Sequence, residues 1–121
     1  MERCNPCEVN IFRDKEKSFF AHTPAMITRM ICKYFGVELA DVLSSKRQIH
    51  LVEVRNIIIH LIRRNPNITI GYPELGRMFY KDHTSILHMY KNAELWKDID
   101  EIFAFKLREA HKFVYGHLNF F

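Results

Sequence analysis

The sequence contains few of the features that mark secreted or membrane proteins. It has only three cysteines among 121 residues, and an odd number does not complete a disulfide framework. Its richest apolar stretch, residues 57–62, ends at Arg63 and Arg64 and is far shorter than the roughly 20 residues of a membrane helix. The first residues lack the apolar core of a signal peptide. These absences predict a cytoplasmic protein that does not associate with membranes.

Motifs for catalysis or metal binding are also scarce. Cys4 and Cys7 form half of a zinc pattern, but no second pair completes it, so a terminal pair of free thiols is the plainer interpretation. The segment 71–78 has the glycine spacing of a phosphate loop but lacks its Lys and hydroxyl residues. His83 and His88 are five residues apart and do not share a helix face. We therefore expect no enzyme activity, no metal and no cofactor.

The residues that are abundant favour a folded domain with an anionic partner. Hydrophobic residues make up 48% of the chain and include ten Phe, which is enough for a core. The formal net charge is +4, with 18 Lys and Arg against 14 Asp and Glu. All of this excess falls within residues 24–96. A concentrated positive charge of this kind favours nucleic acid without singling it out.

Apolar residues recur at helical spacing along most of the chain, and no alternating strand pattern competes with them. Thr23 and Pro24 give a helix start, Asp82 is a good N-cap, and the central stripe Val54, Ile57, Ile58, Leu61, Ile62 predicts a buried helix. The predicted fold is all-α, a helix-turn-helix bundle of about five to six helices. We divide the chain into an N-terminal extension (1–22), a central helical domain (23–97) and a C-terminal helix that packs on or extends it (98–121).

A short helix entered through Pro73 and a longer one running from Asp82 to about Trp96 are joined by a tight turn. This is the layout of a DNA-reading helix-turn-helix. The first turn of the second helix can enter the major groove, where its side chains meet base edges and its free N–H groups favour phosphate. The core-facing residues expected on this helix are Ile86, Leu87, Tyr90 and Ala93, with Thr84, Ser85, His88, Lys91 and Asn92 outside.

The segment Asp82-His83-Thr84-Ser85-Ile86-Leu87-His88, preceded by Pro73-Glu74-Leu75-Gly76, closely resembles the signature of the C-terminal DNA-binding domain of the bacterial replication initiator DnaA. Residues 34–47 also look like that domain, so the resemblance covers roughly residues 24 to 96. It implies sequence-specific binding of short duplex boxes, in replication initiation or its regulation. The implied base-reading residues are Lys81, Asp82, His83, Thr84 and Ser85. The residues expected at the DNA backbone or minor groove are Lys46, Arg47, Gln48, Arg55, His88 and Lys91.

Three departures from the family limit what the resemblance implies. The turn after Phe79 is one residue shorter and lacks the family's usual pair of glycines, so its geometry is expected to differ. Glu53-Val54-Arg55 stands where the family has Arg-Pro-Arg, which predicts a changed affinity or preference. The family's ATPase module has no counterpart here, so assembly on ATP and origin melting are not implied.

The alternative hypothesis is a protein-interaction factor that keeps the fold but has lost tight DNA binding and modulates replication or transcription by engaging a replication protein. Glu53, the shorter turn and the aromatic-rich C-terminal end give it some weight. That end is more simply explained by core packing, although a dimer contact is the other interpretation. The sequence leaves the oligomeric state open.

Overall fold

Six α-helices account for most of the part of the chain that the computed structural model describes, residues 22–116. The predicted all-α fold of five to six helices is thereby confirmed. Most of the N-terminal extension, with Cys4 and Cys7, and the aromatic end at 117–121 lie outside the described residues. No helix among those described has the length and apolarity needed to cross a membrane. The helices are α1 (Pro24–Phe35), α2 (Leu39–Val42), α3 (Ile49–Arg64), α4 (Tyr72–Phe79), α5 (His83–Ile99) and α6 (Glu101–Tyr115).

Helix ends follow local capping chemistry. The Thr23 hydroxyl accepts a hydrogen bond from the Met26 N–H at 3.2 Å, which begins α1 as predicted. The junction between α5 and α6 differs from the prediction, because α5 continues to Ile99 rather than ending near Trp96. Asp100 caps the start of α6, and its carboxylate accepts from the N–H groups of the second and third residues of that helix at 3.0 and 3.1 Å.

Helix α3 lies at the centre of the bundle and packs against α1, α5 and α6. The apolar stripe of this helix predicts that its other side, which includes Asn56 and His60, is polar and faces water. The structure confirms that α3 is buried but corrects the polar side, since every residue from Val54 to Ile62 is buried. Asn56 is 1% exposed and His60 is 0% exposed. Periodicity alone could not show this, because α5 covers the side that was expected to face water.

A buried histidine joins the central helix to α5. His60 Nε2 lies 2.7 Å from Glu94 Oε2, and its ring stacks on Tyr90 with centroids 5.7 Å apart. Burial of the imidazole lowers the pKa of His60 to about 4 and outweighs the attraction of Glu94. A neutral His60 therefore donates to the Glu94 carboxylate and holds α5 against α3.

The last helix closes the core. Phe103, Leu107 and Ala110 of α6 are fully buried. The hydroxyl of Tyr115 donates to the carbonyl of Leu61 at 2.9 Å, which ties the end of α6 to the end of α3. The buried apolar residues of α3 and α6 thus share one core with those of α1 and α5.

We predict that stability depends on pH through His60. Its folded-state pKa of about 4 lies below the unfolded value of about 6.5, so the unfolded chain binds more protons between these two values. The contribution is complete above pH 6.5 and is lost as the pH falls towards 4, by up to about 3 kcal/mol. Urea unfolding at a series of pH values measures it.

The matched variant is His60→Gln, which keeps a donor for Glu94 but does not titrate. Burial also lowers the pKa of His111, so part of the pH dependence should persist in the variant. The difference between the two proteins isolates His60. Identical pH slopes in wild type and variant would contradict the prediction.

Candidate nucleic-acid interface

Helices α4 and α5 pack against each other and are joined by a turn of three residues, Tyr80, Lys81 and Asp82. The Lys81 N–H donates to the Gly76 carbonyl at 2.8 Å, and the Tyr80 N–H donates to the Arg77 carbonyl at 3.3 Å. Tyr80 adopts the left-handed conformation with φ 58° and ψ 40°. This reversal ends α4 and starts α5 within one tight connection, as in a helix-turn-helix.

The turn is tight because Gly76 has no side chain. A Cβ built at Gly76 would collide with the carbonyl oxygen of Lys81, and it would lie 3.2 Å from the carbonyl carbon of Asp82. Both obstacles are backbone atoms, which cannot rotate away. Gly76 therefore sets how closely the end of α4 approaches the start of α5.

We predict that Gly76→Ala destabilises the fold by about 1–3 kcal/mol, because the turn must open to admit the methyl group. The free energy of unfolding in urea measures the effect. Gly71→Ala is the control, since the nearest atom to its added Cβ lies at an ordinary 3.6 Å. Equal losses in the two variants would show that helix packing at the turn is not the cause.

The first turn of α5 presents the predicted base-reading residues. Asp82 is the N-cap, and its Oδ1 accepts from the Ser85 N–H at 2.8 Å. That backbone hydrogen bond, followed by the Ser85 hydroxyl, lowers the pKa of Asp82 and keeps the carboxylate ionised. His83 and Thr84 are exposed, whereas Ser85 is partly buried and lines a groove together with Arg55 and Asn56 of α3. The expected roles of these residues in base reading stay predictions.

The rest of α5 is oriented by two core residues. Ile86 and Ala93 are fully buried, and His88, Lys91 and Asn92 are exposed on the opposite face. Leu87 and Tyr90, which the sequence placed inside, are only partly buried. Tyr90 still packs against the core, and so does Met89, which the sequence had not placed inside.

Arg55, on α3, holds the loop between α2 and α3 (residues 43–48), which carries Lys46 and Arg47 and is called the basic loop below. Its Nε donates to the Val42 carbonyl at 2.7 Å, and its Nη2 donates to the carbonyls of Asp41 and Ser44 at 3.0 and 2.9 Å. The residue is 4% exposed. The expectation that Arg55 acts on the DNA backbone or minor groove stays a prediction. Three carbonyl acceptors hold the guanidinium inside the protein, where it fixes the loop.

Other predicted DNA contacts differ in exposure. Lys46 is exposed, and its Nζ lies 2.8 Å from Asp41 Oδ1. A surface ion pair of this kind contributes little to stability, so the Lys46 ammonium can leave Asp41 and bind a phosphate instead. Gln48 is exposed at the N-cap position of α3 without a capping hydrogen bond from its side chain. Lys91 is exposed on the outer face of α5. All three are available to a ligand.

A groove of about 240 Å³ separates the basic loop from α5. Partial burial, followed by the charges of Arg55 and Arg47, lowers the pKa of Lys81, which shows that these cations crowd one another. Such a cluster favours an anion between them. The predicted residues that line this basic groove are Lys46, Arg47, Arg55, Lys81, Ser85 and His88.

Among the residues that line the basic groove but were not predicted as site residues, two are asparagines. Asn56 is 1% exposed, and its Nδ2 makes no hydrogen bond within the described part of the chain. Asn92 lies on the exposed face of α5, one turn beyond His88. The sequence analysis placed Asn92 on the outer face of α5 but assigned it no role. The position of Asn56 depends on the packing of α3 against α5, which periodicity does not reveal.

We predict that Arg55→Lys weakens binding of every duplex, because a lysine keeps the charge but cannot reach three carbonyls, so the loop is no longer held. The slope of log affinity against log salt should be unchanged, since the charge is retained. Fluorescence anisotropy at four salt concentrations measures both quantities. Wild-type affinity in Arg55→Lys would show that the loop does not depend on this residue.

Comparison with known proteins places the matched region on these same helices. The family described as "Bacterial dnaA protein helix-turn-helix" matches residues 24–92. The chromosomal replication initiator protein DnaA of Thermoanaerobacter sp. (strain X514) is 30% identical over 95 residues, which cover 78% of this chain and 21% of that protein. DnaA of Geobacter sulfurreducens is 38% identical over 87 residues, covering 70% and 18%. The chain thus spans about a fifth of the length of these relatives.

Proposed function

Because the chain belongs to the bacterial DnaA helix-turn-helix family, we propose that it binds double-stranded DNA at DnaA-box-like sequences, in the initiation of replication or its regulation. It would act in the cytoplasm, at the nucleoid. The observation that carries this proposal is the juxtaposition of the exposed first turn of α5 with the basic groove. Base-reading side chains and phosphate-binding cations then face the same duplex.

The first turn of α5 has the chemistry to read bases. The Asp82 carboxylate can accept from a cytosine amino group, and the His83 imidazole can donate or accept at a purine. The methyl group of Thr84 can pack on a thymine methyl. The capping bond uses only Oδ1 of Asp82, so Oδ2 stays available for a base. We assign the recognition of sequence to these three residues.

The basic loop and the basic groove would contact the minor groove and the phosphates rather than read bases in the major groove. Arg47 and Lys46 are exposed on the loop, and Arg55 fixes that loop relative to α3. We propose that the loop reaches the neighbouring minor groove while α5 occupies the major groove. Lys81, His88 and the other lining residues would then meet the phosphates between the two grooves.

Glu53 does not weaken this proposal. Its Oε1 lies 2.8 Å from Lys106 Nζ, so the carboxylate is bound to α6. It borders a separate small cavity with Phe35 and Lys106 rather than the basic groove. The acid that stands in place of a family arginine therefore faces away from the proposed DNA surface, and this argument for a protein-interaction factor loses its weight.

We predict that His83→Ala or Thr84→Ala costs about 1–3 kcal/mol of binding free energy on a DnaA-box duplex and little on a scrambled duplex, because each removes a contact to a base. Both residues are exposed, so folding should be retained, which circular dichroism verifies. Fluorescence anisotropy with both duplexes measures the difference.

Lys91→Ala is the control for loss of charge alone. It should weaken both duplexes equally and reduce the salt slope by about one unit if one phosphate contact is lost. A wild-type protein that prefers no duplex over scrambled DNA at moderate salt would overturn the proposed function. The protein-interaction alternative would then take its place.

A further inference from the structure

Tyr80 occupies a backbone conformation that its side chain disfavours. Among the described residues it is the one non-glycine residue with positive φ, at 58°. It stands just after α4 in a Schellman-type turn, a position where glycine is preferred because a Cβ crowds the following carbonyl. A tyrosine is therefore kept here against a local conformational preference.

Nothing within the described protein compensates for this strain. Tyr80 is 79% exposed, the highest exposure among the large hydrophobic residues described. Its phenol makes no hydrogen bond and its ring no aromatic contact within residues 22–116. Strained residues of this kind persist where the surroundings fix them, and they occur preferentially at functional sites. The ring is free to meet a ligand.

The position of Tyr80 indicates which ligand that is. It lies between the two helices of the helix-turn-helix, directly before Lys81 of the basic groove and two residues before the helix cap Asp82. When the first turn of α5 enters the major groove, this turn passes the edge of the groove, where the phosphates lie. Tyrosine hydroxyls are among the side-chain donors that bind DNA phosphates.

We propose that Tyr80 is a DNA-contact residue whose phenolic O–H donates to a backbone phosphate beside the bases read by α5. The inference rests on the proposed DNA-binding function. It adds one neutral aromatic contact to the phosphate contacts proposed for the cations of the basic groove. The left-handed turn would then contribute to binding, because it holds the phenol at a fixed distance from the start of α5.

The test separates strain from binding by comparing Tyr80→Phe with Tyr80→Gly. Tyr80→Phe keeps the ring and the strain but removes the donor, so stability should be unchanged while affinity for box and scrambled duplexes falls by at least about fivefold. Tyr80→Gly relieves the strain, so its urea midpoint should rise although its affinity falls at least as far. The salt slope should not change in either variant, because no charge is lost.

Tyr34→Phe is the matched control, since it removes the phenol of another partly exposed tyrosine, on α1, and should leave affinity unchanged. Wild-type affinity in both Tyr80 variants would overturn the phosphate contact. Loss of affinity in Tyr80→Gly but not in Tyr80→Phe would also overturn it, because the hydroxyl would then be irrelevant.

The two proposals can fail separately. A wild-type protein that binds box and scrambled duplexes equally would overturn sequence-specific recognition, whereas Tyr80→Phe still decides the phosphate contact on either duplex. A wild-type protein that binds no duplex at all would overturn both.

Discussion

The burial of α3 on every side is the constraint on which the DNA-facing surface depends. A helix surrounded in this way must satisfy its polar side chains with partners inside the protein, because water cannot reach them. Arg55 donates to three carbonyls at the end of α2 and the start of the basic loop, and one and a half turns later His60 contacts Glu94 on α5. The same helix therefore fixes the loop and the reading helix, the two parts that must meet a duplex at once. Their relative position is decided in the core and not at the surface.

Electrostatics at the basic groove oppose folding while they favour binding. Burial, followed by the charges of Arg55 and Arg47, lowers the pKa of Lys81, and burial followed by the charge of Arg47 lowers the pKa of Arg55. Such crowding of cations destabilises the protein when no anion is present. In most of a fold, local conformational preference, packing and electrostatics favour the same structure. Functional sites often violate one of these requirements, and the rest of the protein provides the compensating stability. Here the compensation is visible, because the carbonyls that hold the Arg55 guanidinium also reduce the cost of burying its charge.

The helices and their starts could be predicted from sequence because their signals are local. Thr23 and Asp82 cap α1 and α5 as expected from residue type alone. The partners of Arg55, the burial of Asn56 and the end of α5 could not be predicted, since each depends on which helix packs where. Asp98 and Asp100 are equally good caps by chemistry. The edge-to-face contact of Trp96 with Phe103, at 5.4 Å between ring centroids, accompanies a junction at Asp100. The same limit applies to the candidate site, where spacing indicates which residues face outward but not which of them share a groove.

The short turn between α4 and α5 shows how a fold accommodates an unfavourable residue. The sequence predicted a changed geometry because the usual glycines are missing before Lys81. In the structure the tight connection is retained by a different glycine, Gly76, whose missing Cβ lets the Lys81 carbonyl approach the helix. Once that approach fixes the path of the chain, the residue at position 80 must adopt positive φ whatever its side chain. The closeness of the two helices thus depends on Gly76, and Tyr80 carries the strain that results.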